Sequence, residues 1–211
     1  MGIENYWAFI LSVIFFTLTP GIDTIFILNK SISQGREAGF YALLGISSGL
    51  IVHTLLAALG LSVILAKSAT AFMIVKYVGA AYLVYMGVVK MFTKKHLSFT
   101  QNSQEKKIKN TNKNNFLSGV LTNILNPKVA LFFLAFFPQF IRHEAIENPL
   151  PFIVLGATFA FIGCLWFIIL ILFTSLFSEK LANHPYFSKW MDKASGLVFI
   201  LLGLKVALTD R

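Results

Sequence analysis

Residues 19–23, Thr19-Pro20-Gly21-Ile22-Asp23, stand in the middle of an apolar run from about Tyr6 to Leu28. Residues 126–128, Asn126-Pro127-Lys128, stand in the middle of another, from about Phe116 to Ile141. Each run is long enough to cross a bilayer, which takes about 20 residues of helix. Each stretch reads as an N-cap residue, Thr19 or Asn126, followed by proline at the first position of a new helix. A helix start inside a membrane span is abnormal, because the freed backbone groups have no water to bond to. Proline also removes the bond its own N–H would make to the carbonyl four residues earlier, at Phe16 and at Asn123. Helices 1 and 4 of a membrane protein are therefore expected to be interrupted.

Composition agrees. Of the 211 residues, 56% are hydrophobic and only 13% charged, and the mean hydropathy is +0.73. Such a chain is a polytopic membrane protein rather than a soluble domain. Further apolar segments cover about 39–66, 69–91, 150–177 and 190–208, so that six spans use up most of the length. Only Lys67 and Ser68 separate the second from the third, which requires a tight antiparallel hairpin. The polar stretch 93–115, rich in Lys and Asn, lacks apolar periodicity and reads as a cytosolic linker. Met1 to Trp7 carries no Lys or Arg and no small-x-small cleavage pattern follows, so the first segment is expected to be a retained span.

The net charge of +9 is a topology signal rather than a mark of nucleic-acid binding, because Lys and Arg lie between the apolar segments. They are densest after segments one, three and five. Most of the excess is in the long loop, at Lys94, Lys95, Lys106, Lys107, Lys109 and Lys113. That side is the cytoplasmic one, which puts both termini outside. The single cysteine, Cys164, forbids an internal disulfide and dithiol chemistry.

The two halves resemble each other. "TLTPGIDTIFIL" (17–28) parallels "ILNPKVALFFLA" (124–135), and "GAAYLVYMGVVK" (79–90) parallels "SGLVFILLGLK" (195–205), with Gly87 matching Gly203. Three spans per half is an odd number, so the second half inserts upside down. The expected architecture is all-α: six transmembrane helices in two inverted three-helix repeats, 1–92 and 116–211, joined by the 93–115 loop. Inverted repeats with interrupted helices near the midplane build many secondary transporters.

Asp23 falls in the first turn of the second half-helix. The helix dipole favours a carboxylate there, yet one at this depth is costly unless paired or protonated. It is expected to hold a substrate ammonium or a coupling proton. Lys128 stands at the positive start of a half-helix, the wrong end for a cation. Its charge calls for an ion pair with Asp23 or an anion such as a substrate carboxylate, unless it snorkels to the interface. Thr19, Asn123 and Asn126 supply hydroxyl and amide groups around the breaks, as caps first and as substrate contacts in addition. Pro20, Gly21 and Pro127 make the breaks. His53 follows Gly45 and Gly49 at a spacing of four, so all three share one helix face. The glycines there read as a close-packing surface, and His53 as a proton relay or an interior hydrogen-bonded residue. Tyr82, Tyr85 and Gln139 are weaker pathway candidates. No metal set, nucleotide fingerprint or catalytic triad is present, so neither an enzyme nor a cofactor is expected.

Together these elements resemble the LysE/RhtB superfamily of amino-acid exporters, in its RhtB-type branch. The carriers are "TPGIDT" (19–24), "LLGISSGLIVH" (43–53), "KYVGAAYLVYMG" (76–87) and "GVLTNILNPKVALFFLAFFPQF" (119–140), the last being the most specific. Ile22 departs from the family, where Thr-Pro-Gly-Pro-Asp is usual. The resemblance implies efflux of small neutral amino acids such as threonine, homoserine or leucine, driven by protons, in a bacterial inner (plasma) membrane. The family's acidic position falls on Asp23 and its Asn-Pro-Lys on Asn126, Pro127 and Lys128. The expected partners are an amino acid, protons and the lipid bilayer, with a homo-oligomer as a further option and no nucleic acid. The rival readings are an ion or metal exporter of a sister family and a non-transporting membrane scaffold.

Overall fold

The computed structural model describes residues 2–61, 68–92 and 112–174, together with 193, 196–197, 199–201, 203–204 and 206–208 in the last stretch. The 62–67 hairpin region, most of the long polar loop and the 175–192 turn lie outside the described residues. Among the described residues the protein is all-helical. The helices are α1 (Tyr6–Leu18), α2 (Ile22–Gln34), α3 (Arg36–Leu56), α4 (Ala69–Phe92), α5 (Asn112–Ile124), α6 (Pro127–Ala135) and α7 (Pro149–Leu172). A shorter apolar helix, α8, follows at Phe199–Leu208. A π-helical turn, Ala57–Leu61, prolongs α3, and 3-10 turns at Phe137–Phe140 and His143–Ala145 follow α6.

Among the described residues two helical stretches, Arg36–Gly60 and Pro149–Leu172, are long and apolar enough to cross a membrane, and two bent pairs bring the number to four if each pair is one span. At 1.5 Å per residue, 24 residues extend about 36 Å, more than the hydrocarbon thickness. The outer faces of α3 and α7 are apolar, with Leu44, Ile51, Leu55, Phe161, Leu165 and Ile169 exposed. A surface of that kind suits lipid and not water.

Both expected breaks are present. α1 and α2 meet at 51°, α5 and α6 at 48°. At the second break Asn126 is the N-cap, its side chain accepting from the Lys128 backbone N–H, and Pro127 opens α6. The first break differs from expectation. Thr19 is the C-cap of α1 rather than an N-cap, its hydroxyl donating back to the Phe15 carbonyl at 2.8 Å. The chain stays extended through Gly21, which is the N-cap of α2. The Thr19 hydroxyl finds an acceptor in its own helix, so it is not offered to the next one.

Other boundaries shift for local reasons. α5 begins a turn earlier than hydropathy marks, at Asn112, because its polar first turn has partners across the bundle. Asn112 Nδ2 donates to Glu37 Oε1 (2.8 Å) and Asn115 Nδ2 to Gln34 Oε1 (2.9 Å). α2 and α3 are separated by Gly35 alone, at φ 88°, a backbone conformation that suits glycine.

The most extensive helix packing among the described residues is between α3 and α5. Side chains at Gly45 and Gly49 would collide with the backbone of Phe116 and Val120 and with Asn123, and one at Gly119 would collide with Ala42. The face predicted from the Gly45–Gly49 spacing is thus a helix-packing surface. A second exchange joins α4 to the last segment: a Cβ at Gly87 would meet the Gly196 carbonyl, and one at Gly203 would meet that of Ala80. Buried side chains form two apolar clusters. One is aromatic, gathering Phe9, Phe16, Phe132, Phe136, Phe137 and Phe159. The other joins Ile27 and Leu28 of α2 to Ile46 of α3 and Phe167 and Ile171 of α7.

Candidate transport site

The prolines free two carbonyls in the interior, and each is taken up by a side chain from elsewhere. At the first break Lys128 Nζ donates to the Phe16 carbonyl at 3.0 Å and to the Thr19 carbonyl at 2.9 Å. At the second, His53 Nε2 lies 3.1 Å from the Asn123 carbonyl, and since a carbonyl only accepts, Nε2 carries the proton. The Asn126 backbone N–H also donates to that oxygen, at 3.0 Å. The breaks are therefore cross-braced, the first by a lysine of α6 and the second by a histidine of α3.

This bracing answers the question Lys128 raises. Its backbone opens α6, but its side chain reaches the carbonyl end of α1, the favourable pole for a cation. The ammonium also lies 4.2 Å from the ring centre of Phe16 and 5.4 Å from that of Phe199, where the negative ring faces add to the attraction. Gly21 leaves room for the lysine stem: a Cβ there would come within 3.3 Å of Lys128 Cδ.

Asp23 occupies the first turn of α2 and is buried, 8% exposed. Its Oδ2 accepts from Asn123 Nδ2 at 2.8 Å. Its Oδ1 and the Asn123 Oδ1 have no hydrogen-bond partner among the described residues, and neither does the Thr17 hydroxyl. These atoms belong to residues that line one cavity of about 480 Å3, open mouth included, between the two apolar clusters. Its wall combines Thr17, Thr19, Asp23, Asn123, Asn126 and Lys128 from the two breaks with Ile46, Ser47 and Leu50 of α3. Phe16, Thr24 and Val129 add to the side of the breaks, and Phe159, Ala160, Gly163, Cys164 and Phe167 of α7 complete it.

Of the residues singled out in the sequence, Thr19, Asp23, Asn123, Asn126 and Lys128 are brought together in this wall. His53 stands behind it, reaching it through Asn123 and packing against Phe133 at 5.7 Å between ring centres. Pro20, Gly21 and Pro127 shape the breaks without lining the cavity. Tyr82 and Tyr85 pair with each other and Gln139 bonds back to Ala135; none of the three lines it. Sequence reasoning missed Thr17, Thr24, Ser47 and the whole α7 wall. Thr17 and Ser47 carry a faint signal, each two residues from a position already chosen. α7 carries none. Lys76 is a second buried lysine, 6% exposed.

The geometry is that of a polar cavity between two broken helices, and comparison with known proteins supplies the family. A family model described as LysE type translocator matches residues 14–210. The chain belongs to the LysE type translocator family. Among its relatives, an uncharacterized membrane protein of Bacillus subtilis (strain 168), YrhP, is 35% identical over 207 residues, 96% of this chain and 98% of the relative. An uncharacterized membrane protein of Vibrio cholerae is 32% identical over 209 residues, 98% of each chain. A leucine efflux protein of Salmonella typhimurium (strain LT2) is 28% identical over 209 residues, 98% of this chain and 96% of the relative. No solved structure matches. The translocator is thus a multi-pass membrane protein whose relatives include leucine efflux proteins, and its described residues put Asp23, Asn126 and Lys128 in one cavity wall.

Proposed function

We propose that this translocator is a secondary active exporter of small neutral amino acids, coupled to protons and working by alternating access around the cavity between its two interrupted helices. The observation that carries the reading is the pair of buried acceptor oxygens, Asp23 Oδ1 and Asn123 Oδ1, that close no hydrogen bond among the described residues, in a cavity that also holds the Asn126 amide and the Lys128 ammonium. Buried acceptors without partners are costly, and a substrate ammonium supplies the missing N–H groups. The Thr17 hydroxyl and Lys128 are the donors for the substrate carboxylate. The relatives that are leucine efflux proteins support an amino acid as the solute.

Asp23 also gives the coupling. A carboxylate at this depth is balanced by a cation, the Lys128 ammonium beside it or a substrate's, or by a proton. Substrate and proton then compete for one group, so a proton entering from outside displaces the amino acid it exchanges for. The two-repeat architecture belongs to this proposal, with units 1–92 and 116–211 and both termini outside the inner membrane. Its support is the near-equal bends, the reciprocal bracing of the breaks, and the Gly87–Gly196 and Gly203–Ala80 contacts, which exchange under one residue offset.

The test is Asp23→Asn, an isosteric change that keeps a partner for Asn123. In cells loaded with leucine-containing dipeptides, efflux should fall about 10- to 150-fold, the worth of a charge-assisted hydrogen bond, with membrane insertion unchanged. Export at the normal rate would remove the acid from the mechanism.

A further inference from the structure

We infer that the α7 wall of the cavity, at Ala160, Gly163, Cys164 and Phe167, is the subsite for the substrate's side chain, and that Gly163 sets the largest side chain accepted. This rests on the amino-acid reading above. Two glycines of α7 make the case. Gly156 and Gly163 are both buried and, seven residues apart, lie on one face of the helix. A Cβ at Gly156 would run into Thr54 of α3, whereas a Cβ at Gly163 would meet no heavy atom within 4 Å. A buried helical position with nothing before it faces a void, and Gly163 lines the cavity. Gly45, Gly49, Gly79 and Gly119 are all pressed against a neighbouring helix. The missing side chain of Gly163 serves no such packing; it leaves volume to the site.

The chemistry of the walls assigns the rest. The unpartnered oxygens of Asp23 and Asn123, 8% and 1% exposed as residues, and the Thr17 hydroxyl belong to the wall made by the breaks. An amino acid held there by its ammonium and carboxylate has only its side chain left to turn toward α7. That wall offers a methyl, a ring and open space. Its one polar group, the Cys164 thiol, is engaged with the Ser47 hydroxyl of α3 at 3.2 Å. Such a surface suits aliphatic side chains and gives a charged one no partner, which would be costly in the interior.

The test is the graded series Gly163→Ala, Gly163→Val and Gly163→Leu in proteoliposomes, with counterflow of alanine and of leucine measured side by side. Each methylene-sized change in a hydrophobic pocket is worth about 10- to 200-fold in discrimination. The leucine-to-alanine ratio should therefore fall stepwise and be at least about tenfold lower in Gly163→Leu, with alanine exchange retained. A ratio that stays constant across the series, whether both rates fall together or neither changes, overturns the subsite. A second readout needs no substitution. Cys164 is the only cysteine in the chain, so N-ethylmaleimide reports on that wall alone. Leucine should slow its labelling in the wild type, more than alanine does; equal or absent protection overturns the assignment. A wild-type protein that exchanges neither amino acid overturns the exporter reading and the subsite together. One that exchanges leucine, with Gly163→Leu doing so equally well, overturns the subsite alone.

Discussion

The two breaks bend their helices by nearly the same angle, 51° and 48°, but they are built differently. The second is made by its own sequence. Asn126 caps the Lys128 N–H and Pro127 opens the new helix, with His53 as an added brace at the Asn123 carbonyl. The first leaves Thr19, Pro20 and Gly21 extended with no side-chain cap for α2, and its freed carbonyls are held by an ammonium from the other half of the chain. A break of the first kind depends on tertiary contact, one of the second on local chemistry. The externally held break also adjoins the carboxylate. Movement at the first break therefore requires Lys128 to exchange partners, and the second can act as the fixed side.

Substitutions can break or sharpen that difference. The largest effect is expected for Lys128→Met, which keeps the stem and removes the donor to two buried carbonyls. Each orphaned group costs about 1–3 kcal/mol, so unfolding in detergent should shift by several kcal/mol and export should be lost. A stability like that of the wild type would show that the first break does not need its brace. Asn126→Ala removes one cap and should cost about 1 kcal/mol, with export reduced but present. His53→Ala withdraws one of two donors to the Asn123 carbonyl, the Asn126 N–H remaining. Its cost should be about 1 kcal/mol or less. A loss as large as that of Lys128→Met would make the breaks equivalent in their dependence on distant side chains. Gly21→Ala is the mildest. Its Cβ presses on the flexible lysine stem at 3.3 Å, so stability should change by less than about 1 kcal/mol while the export rate falls.

The same contrast explains what could be read from the chain. The helical class, the apolar segments and the two interruptions follow from hydropathy and from proline, which act over a few residues. The Asn126-Pro127 cap is local chemistry and is present as the sequence implies. Thr19 resembles Asn126 in sequence, yet it turns back onto Phe15, because a threonine hydroxyl at a helix end has the preceding carbonyls within reach. The target of Lys128 was not legible at all: its acceptors are backbone oxygens in another helix, and no side-chain pattern marks a carbonyl as free. The glycines of α3 announced their packing through a spacing of four. Gly163 gave no such signal, since its role is to face space, and α7 is apolar all round, so its cavity wall looks like its lipid face.

The most direct measurement takes the ammonium from the substrate rather than the carboxylate from the protein. Purified translocator in proteoliposomes would be assayed for exchange of leucine and of 4-methylpentanoate, which keeps the carboxylate and the side chain but lacks the amino group. Exchange of leucine with essentially none of 4-methylpentanoate is the expected result, with Asp23→Asn lowering the leucine activity about 10- to 150-fold. Exchange of both at similar rates would contradict the assignment of the Asp23 and Asn123 oxygens to the substrate's ammonium.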